Sequence, residues 1–374
     1  MIDKQRLLDS FLELAYINSP SGDEAEIALV LKDKLAQLGF DVVIDDAGAK
    51  SNSNTGNLIA RKSGSLPHAQ SILFSAHMDT VSPTTGLTCA VVEGCVCSGG
   101  DTILGADDKA GIAAILEALK VIEEGNIPHG DIEIIFSICE EIGLVGVRHL
   151  DMSQIKSRCC FVFDIGKPVG SVTVAAPTQD NLKIQVKGKA AHAGANPEEG
   201  INAIVAASKA ISAMKIGRID SETTANVGII NGGCATNIVP ESVEILGEAR
   251  SRDRDKLTAQ VKHMKAVLEQ TAAETGAQIT IDVSRSYNGY RLSPNDGVVQ
   301  IAVEAARRVG IEPELHETGG GSDANILNER GIPAVPIGVG YDKPHCCDEI
   351  MPIEDLVLSA SMALEIIKIA AESR

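Results

Sequence analysis

The feature that most constrains this chain is a set of histidines and acids placed at the ends of apolar segments. Four segments have the length and composition of β-strands, and each closes on, or lies shortly before, a side chain able to bind a divalent metal. They are residues 71–76 before His77, 132–139 before Glu140, 159–163 before Asp164, and 334–339 before His345. Sites assemble at the carboxyl ends of strands in an open parallel sheet. With Asp79, Asp107 and Glu141, these side chains predict a dinuclear metal centre.

The order of the predicted elements favours an α/β fold with a mostly parallel central sheet. Strand-like and helical segments alternate up to about residue 178, and the alternation resumes near Pro294. Between them, residues 179–287 show the order β-α-β-β-α-β of a ferredoxin-like unit. We therefore predict an α/β domain of residues 1–178 and 288–374, interrupted by a small α+β domain at 179–287.

Two local interpretations concern the N-terminal region. Residues 4–38 have helical spacing that a turn at 18–22 interrupts. Ser21 and Glu24 have the S-x-x-E spacing of a capping box, which predicts that they begin the second helix. The polar stretch 47–55 is predicted to be a loop.

Composition and charge narrow the class of partner. The formal net charge is −18, which argues against binding a nucleic-acid backbone. No apolar stretch is long enough to span a membrane, and the N-terminus lacks the pattern of a signal peptide. The nine cysteines are odd in number and form no CxxC pair, so we expect neither a disulfide framework nor a structural zinc knuckle. A reducing cytoplasm fits this usage best.

The segment His77-Met-Asp79 suits a metal ligand and its supporting acid. Side chains two positions apart on an extended segment point the same way, so Asp79 can orient the His77 imidazole. Alone, this spacing is equally typical of a surface turn. Gly105-Ala-Asp-Asp-Lys-Ala-Gly111 opens a helix with two acids, which could be dipole compensation or a bridging ligand at Asp107.

The acids Glu140 and Glu141 directly follow an apolar strand. Adjacent side chains there point to opposite sides, so one can bind a metal while the other acts as a base. Burying both is costly unless they are paired or bound to a cation.

Two further segments are less specific. His192 lies between small residues in Ala190-Ala-His-Ala-Gly194 and could be merely exposed. The segment Gly319-Gly-Gly-Ser-Asp323 lacks the pattern of a phosphate loop, but its backbone N–H groups could face a substrate or an oxyanion.

Together these motifs resemble the zinc peptidase family that includes peptidase T, carboxypeptidase G2, aminoacylase-1 and succinyl-diaminopimelate desuccinylase, with the closest likeness to peptidase T-like members. The likeness spans nearly the whole chain and rests on several motifs in the family's order. They are Ser75-Ala-His-Met-Asp-Thr80, Ile103-Leu-Gly-Ala-Asp-Asp-Lys-Ala-Gly111, Glu140-Glu-Ile-Gly143, Phe163-Asp164, Ala191-His-Ala-Gly194, Asn226-Val-Gly-Ile-Ile-Asn-Gly-Gly233, Ala235-Thr-Asn-Ile-Val-Pro240 and His345. Two details depart from the family pattern: Ile165 separates Asp164 from the following glycine, and Cys346 and Cys347 follow His345.

The resemblance implies a role for each matching residue. Two divalent metal ions are implied, zinc first, with cobalt or manganese as substitutes. The implied ligands are Asp107 bridging both ions, His77 and Asp164 on one, and Glu141 and His345 on the other. Glu140 would be the general base, Asp79 the support of His77, and His192 the lid residue that stabilises the oxyanion. The implied substrate contacts are Asn237, Arg250, Gly319, Gly320 and Gly321, although Arg250 could instead form a surface ion pair.

The function implied is metal-dependent hydrolysis of short peptides, with removal of the N-terminal residue from tripeptides. The main competing function is that of an N-acyl amino acid deacylase or a carboxypeptidase on the same metal site, since the fold and metals are shared across these activities. A non-catalytic module that binds a metal or a partner fits less well, because Glu140 and His192 match catalytic positions of the family. A nucleotide-binding enzyme is disfavoured because the sequence has no phosphate loop. The family also implies a lid at residues 179–287 that can form a homodimer.

Overall fold

A computed structural model describes residues 1–372, so the last two residues of the predicted α/β domain lie outside the described part. The chain divides into two compact units. The first comprises Met1–Val174, Arg291–Glu317 and the chain from Ser322 onward, and the second comprises Ala175–Tyr290 with Thr318–Gly321. Gly319, Gly320 and Gly321, which fall within the predicted α/β domain, therefore belong to the second unit, whereas Ser322 and Asp323 belong to the first.

The strands and helices are numbered in chain order. The strands are β1 (Asp41–Ile44), β2 (Leu58–Lys62), β3 (Ile72–His77), β4 (Cys89–Val92), β5 (Cys95–Ser98), β6 (Ile132–Ser137), β7 (Cys160–Ile165), β8 (Ser171–Ala176), β9 (Thr178–Lys187), β10 (Gly217–Arg218), β11 (Thr223–Gly232), β12 (Ser242–Ser251), β13 (Gln278–Tyr287), β14 (Tyr290–Arg291), β15 (Glu314–Glu317), β16 (Ala334–Gly338) and β17 (Ile350–Pro352). The helices are α1 (Lys4–Tyr16), α2 (Ala25–Gln37), α3 (Ala47–Ser51), α4 (Ala106–Gly125), α5 (Val145–Arg148), α6 (Ala203–Ala213), α7 (Arg254–Thr275), α8 (Gly297–Arg308), α9 (Asp323–Glu329) and α10 (Ile353–Glu372).

The first unit is built on a nine-stranded mixed sheet, which confirms the predicted α/β class. Its order is β1-β2-β6-β3-β7-β16-β8-β14, with β15 paired to β8. The central strands β6, β3, β7 and β16 run parallel, whereas β1–β2 and β2–β6 are antiparallel. Strands β3, β6 and β16 are buried at every position, as expected for parallel strands covered on both faces. A separate three-stranded sheet has the order β17-β5-β4.

Helix α4 is the central helix of the first unit. It packs against α1, α10 and strand β3, and most of its length is buried. Gly111 allows a close approach to β7, because a Cβ there would lie 2.2 Å from the Phe163 carbonyl oxygen. Among the described helices, none has the length and apolar character needed to cross a membrane.

Two local predictions in the N-terminal region were wrong. Glu24 is the N-cap residue of α2 but makes no capping hydrogen bond with its side chain, and Ser21 donates its hydroxyl to Asp79 instead. Both side chains have partners far along the chain, Asp79 for Ser21 and Cys139 for Glu24, and they do not form a capping box with each other. The predicted loop at 47–55 contains the short helix α3.

The second unit has the predicted ferredoxin-like arrangement. Its sheet has the order β10-β11-β12-β9-β13, and every pair is antiparallel. Along β9, buried Leu182, Ile184 and Val186 alternate with more exposed residues. These side chains share one apolar core with residues of α6 and α7.

The close approach of α4 to β7 gives a stability prediction. Gly111→Ala should lower the free energy of unfolding by about 1–3 kcal/mol, since the new methyl group would overlap the Phe163 carbonyl and force the backbone apart. Gly297→Ala is the matched control, because a Cβ there meets no atom within 4 Å. It should change stability by less than about 0.5 kcal/mol. Urea unfolding followed by circular dichroism measures both; equal effects would contradict the packing argument.

Candidate metal centre

Four parallel strands deliver acids and histidines to one edge of the sheet. Strand β3 ends at His77, β7 contains Asp164, and the turn after β6 carries Glu140 and Glu141. His345 lies between β16 and β17. Since β6, β3, β7 and β16 are parallel neighbours, these residues meet where the carboxyl ends of the strands coincide.

A first group of potential ligands consists of His77, Asp107 and Asp164. His77 Nε2 lies 3.1 Å from Asp107 Oδ1 and 3.6 Å from Asp164 Oδ1. All three ligand atoms lie within 4.8 Å of one another. Asp107 reaches this position from the first turn of α4, where its backbone is not helical (φ −79°, ψ 104°).

A second group consists of Asp107, Glu141 and His345, and it also meets the 4.8 Å limit. His345 Nε2 lies 3.4 Å from Asp107 Oδ2 and 3.0 Å from Glu141 Oε1. Although this nitrogen is close, the buried Glu141 Oε1 makes no hydrogen bond of normal geometry with any described residue. His345 and Glu141 are therefore within ion-pair distance, but their geometry is not that of a hydrogen bond. Asp107 uses one oxygen in each group, as a bridging carboxylate does.

The charged groups of the cluster shift one another's pKa values. Burial raises the pKa of Asp164 to about 6, and the nearby Asp107 charge adds to this effect. Burial also opposes ionisation of Asp107, but hydrogen bonds from His345 and His77 outweigh it and lower the pKa of Asp107. Contacts with Asp107 and Glu141 raise the pKa of His345 to about 10. Burial disfavours the His77 cation, yet the surrounding acids raise its pKa well above the ordinary value.

This donor set fits two divalent cations. Each group combines one imidazole nitrogen with carboxylate oxygens, which are ligands that zinc accepts. The acids outnumber the histidines, so bound cations would offset negative charge that is otherwise costly to bury.

Asp79 holds both His77 and the Glu140–Glu141 turn. The Nδ1–H of His77 donates to the Asp79 main-chain carbonyl at 2.8 Å, which directs Nε2 toward Asp107 in the cluster. The Asp79 carboxylate accepts from the backbone N–H of Glu140 at 2.9 Å and of Glu141 at 3.2 Å. Its support of the imidazole therefore comes mainly through the main chain, and its carboxylate orients the acidic turn.

Glu140 lies beside the two groups with its carboxylate uncommitted. The residue is 9% exposed, and among the described residues none donates a hydrogen bond to its side chain. Burial raises its pKa well above the ordinary value, and the negative charge of Asp164 contributes. Such a carboxylate can accept and release a proton.

The structure adds residues that sequence patterns did not assign to the site. The buried Glu349 carboxylate accepts from the backbone N–H of Gly105 at 2.7 Å and of Asp107 at 3.0 Å. The Tyr341 hydroxyl donates to Asp164 Oδ1 at 3.5 Å. Glu349 and Tyr341 both follow β16. In the sequence, only their closeness to His345 indicated that they could belong to the site.

A third addition is Asp323, the first residue of α9. Its Oδ2 accepts from the Ser137 hydroxyl at the end of β6, and its Oδ1 is buried without a partner among the described residues. Burial raises the pKa of Asp323 to about 7. The sequence placed it in a glycine-rich segment without a role.

The remaining predicted site residues lie in the second unit. His192 is exposed, and its Nδ1 accepts from the backbone N–H of Gly194 and Ala195, both at 3.1 Å. Asn237 is exposed, with its main-chain carbonyl accepting from Ala193. Because the backbone N–H groups of Gly194 and Ala195 both donate to His192 Nδ1, the neutral His192 imidazole carries its proton on Nε2.

Arg250 forms a bidentate ion pair with Glu248 at 2.8 and 2.9 Å. The ion pair that was the alternative role of Arg250 is thus present in the structure. Gly319, Gly320 and Gly321 form most of the short segment that joins the second unit, and a Cβ at Gly321 would lie 2.3 Å from the Tyr287 ring.

Known proteins resemble the chain over its full length. Residues 73–369 match Peptidase family M20/M25/M40. An uncharacterized protein of Bacillus subtilis, YqjE, is 48% identical over 372 residues, covering 100% of both chains. The solved structure of a tripeptidase from Staphylococcus aureus has a TM-score of 0.95 and 44% identity, covering 100% of each chain. The aminopeptidase PepT from Bacillus cereus has a TM-score of 0.89 and 44% identity, covering 99% of each chain.

The two ligand groups predict how a single substitution changes metal content. His345→Ala should reduce tightly bound divalent metal from about two ions per chain to about one, since only the second group loses its imidazole. Inductively coupled plasma mass spectrometry after dialysis measures this content. His68→Ala is the control, because His68 is exposed and belongs to neither group. Retention of two ions by the His345 variant would contradict the grouping.

Proposed function

The chain belongs to Peptidase family M20/M25/M40, which confirms the resemblance in its motifs, and from this premise we propose that it removes the N-terminal residue from tripeptides. The observation that carries this conclusion is the buried Asp107 carboxylate shared between two ligand groups, with the uncommitted Glu140 carboxylate beside them. The likeness to a tripeptidase and to an aminopeptidase, each at 44% identity over nearly the whole chain, supports the choice of substrate.

Two zinc ions are proposed as the cofactors. Asp107 would bridge them, His77 and Asp164 would hold one, and Glu141 and His345 the other. Cobalt and manganese accept the same nitrogen and oxygen donors, so metal analysis has to identify the native ion. When bound, such a pair polarises the scissile carbonyl and lowers the pKa of the attacking water.

Glu140 is proposed as the general base. Its carboxylate takes a proton from the attacking water as the new C–O bond forms, and then passes that proton to the leaving amine as the C–N bond breaks. Asp79 assists by fixing the backbone amides of Glu140 and Glu141, which supports the direction in which the base points.

His192 is proposed to stabilise the oxyanion of the tetrahedral intermediate. With Nδ1 engaged by two backbone amides, its Nε2–H is the group left to donate. A donor aimed at developing negative charge accelerates acyl transfer.

Asn237, Arg250 and the glycines 319–321 are proposed as substrate contacts. Arg250 can receive a peptide carboxylate only by exchanging Glu248 for it, since its guanidinium already makes two bonds to that acid. Backbone N–H groups of the glycines can donate to substrate carbonyls.

A homodimer through the second unit is also proposed. Strand β10 pairs with only two residues of β11, Ala225 and Thr224, so the rest of that edge has no described partner strand. Ile229 and Ile230 on this edge are about half exposed. Open, apolar edge strands favour pairing with another chain.

The cytoplasm is the proposed compartment. All nine cysteines carry free thiols. Burial raises the pKa of Cys159 to about 11, which keeps that thiol protonated. Free thiols of this number fit a reducing environment.

Replacing the base gives a direct test of the mechanism. Glu140→Gln should lower kcat by about 10²–10⁴-fold, since an amide cannot accept the proton, while metal content stays unchanged. Glu312→Gln is the control, because this acid is exposed. Loss of metal together with activity in the Glu140 variant would contradict its assignment as the base.

A substrate panel separates the proposed peptidase activity from that of a deacylase. Zinc-loaded enzyme is mixed with free tripeptides, their N-acetylated forms and N-acyl amino acids, with Glu140→Gln as the blank, and products are identified by mass spectrometry. We expect release of the first residue from free tripeptides only. Cleavage confined to acylated substrates would establish the deacylase instead.

The dimer prediction concerns the open edge of β11. Ile230→Lys should shift the molecular mass measured by light scattering from that of a dimer to that of a monomer, because a charge on the edge opposes strand pairing. Leu29→Lys, at an exposed apolar position in α2, should leave the mass unchanged. A wild-type monomer would contradict the proposal.

A further inference from the structure

The turn between α1 and α2 lies against the segment that carries Glu140. Ser21 and Glu24, whose spacing is typical of a helix cap, instead contact residues far along the chain. Glu24 is fully buried although it is an acid at the start of a helix. A buried carboxylate requires compensating donors, so its partners indicate what it does.

The Glu24 carboxylate joins its own turn to the end of the β6 segment. Its Oε1 accepts from the backbone N–H of Cys139 at 3.0 Å and of Gly22 at 2.9 Å. Its Oε2 accepts from the Ser53 hydroxyl at 2.6 Å. Cys139 has φ of 52°, a left-handed conformation that a residue with a side chain rarely adopts. Glu24 therefore fixes the residue at which the chain changes direction before Glu140.

A second buried carboxylate, that of Asp79, binds the same Glu140 turn as Glu24 does. Asp79 accepts from the backbone N–H groups of Glu140 and Glu141, the two residues after Cys139. The Ser21 hydroxyl donates to Asp79 at 2.6 Å. Three consecutive amides, from Cys139 to Glu141, thus end on two buried acids. The turn between α1 and α2 supplies Glu24 itself and the Ser21 hydroxyl that donates to Asp79.

We propose that Glu24 is a positioning residue that sets the direction of the Glu140 base and the Glu141 ligand by holding the Cys139 amide. The proposal rests on the proposed function, because it gives a role to a turn that carries the base and a metal ligand. Glu24 acts only through the backbone and does not touch the substrate.

Three substitutions separate hydrogen-bond geometry from charge. Glu24→Ala leaves the Cys139 and Gly22 amides without their acceptor. Glu24→Gln keeps an oxygen for both amides, and its nitrogen can donate to the Ser53 hydroxyl, which can also accept. Glu24→Asp keeps the charge on a side chain shorter by one methylene. Each is measured for kcat and KM on a free tripeptide, for zinc content, and for the visible spectrum of the cobalt-loaded form.

We expect Glu24→Ala to lower kcat by about 10–100-fold, since a small displacement of a catalytic group is costly. KM should stay within about threefold, because substrate binding is not altered. Zinc content should fall below that of the wild type, and the cobalt spectrum should change, as Glu141 moves. Glu24→Gln should restore kcat to within about threefold of the wild type. Full kcat and unchanged metal in Glu24→Ala, or equal damage in Glu24→Gln, would overturn the proposal.

The matched control is Glu133→Gln, in the strand β6 that precedes Cys139. Glu133 is also buried and accepts from the backbone N–H of Lys156 and Ser157, but it holds a different segment. It should lose thermal stability without a change in kcat, zinc content or cobalt spectrum. An equal loss of kcat in Glu133→Gln and Glu24→Ala would overturn a specific role for Glu24.

Failure to fold and failure to cleave peptides have separate readouts. If Glu24→Ala does not fold, Glu24→Asp decides: a lower kcat at near wild-type melting temperature supports the proposal, and an unchanged kcat overturns it. If the wild type cleaves no peptide, the proposed function fails, while zinc content and the cobalt spectrum still decide whether Glu24 positions the turn.

Discussion

The Asp107 carboxylate faces two histidines at once, with one oxygen 3.1 Å from His77 Nε2 and the other 3.4 Å from His345 Nε2. A buried carboxylate in this position needs positive charge on both sides, and the donors around it supply sites for two cations. The nine-stranded sheet meets this requirement by ending four parallel strands at one edge. Glu349 then fixes the Asp107 main chain by accepting from its amide.

Buried acids in this protein perform two different tasks. Asp107, Asp164 and Glu141 aim their oxygens at shared space beside histidines, as metal ligands do. The carboxylates of Glu24 and Asp79 instead accept from backbone amides. They thereby shape the turn that carries Glu140 and the potential ligand Glu141. A carboxylate suits the second task because it has several acceptor sites and bonds strongly to N–H groups.

The second unit contributes side chains whose hydrogen bonds limit what they can do. His192 has one ring nitrogen occupied by two amides, which leaves the other as a donor. Arg250 is already paired with Glu248, so any role in substrate binding requires an exchange of partners. These constraints give the proposed oxyanion and carboxylate contacts a defined chemistry.

The α/β class, the ferredoxin-like insertion and the residues at the strand ends could all be predicted from the amino-acid sequence. Hydrophobic periodicity and the type of residue that closes each strand are local properties, so His77, Glu140 and Asp164 could be selected from the order of residues alone. The same local rules wrongly predicted a capping box formed by Ser21 and Glu24. Their true partners lie 58 and 115 residues away, and the partner of Glu349 at Asp107 is 242 residues away. These contacts depend on how the chain folds in three dimensions, because no spacing along the sequence specifies which distant backbone amide a buried carboxylate will meet.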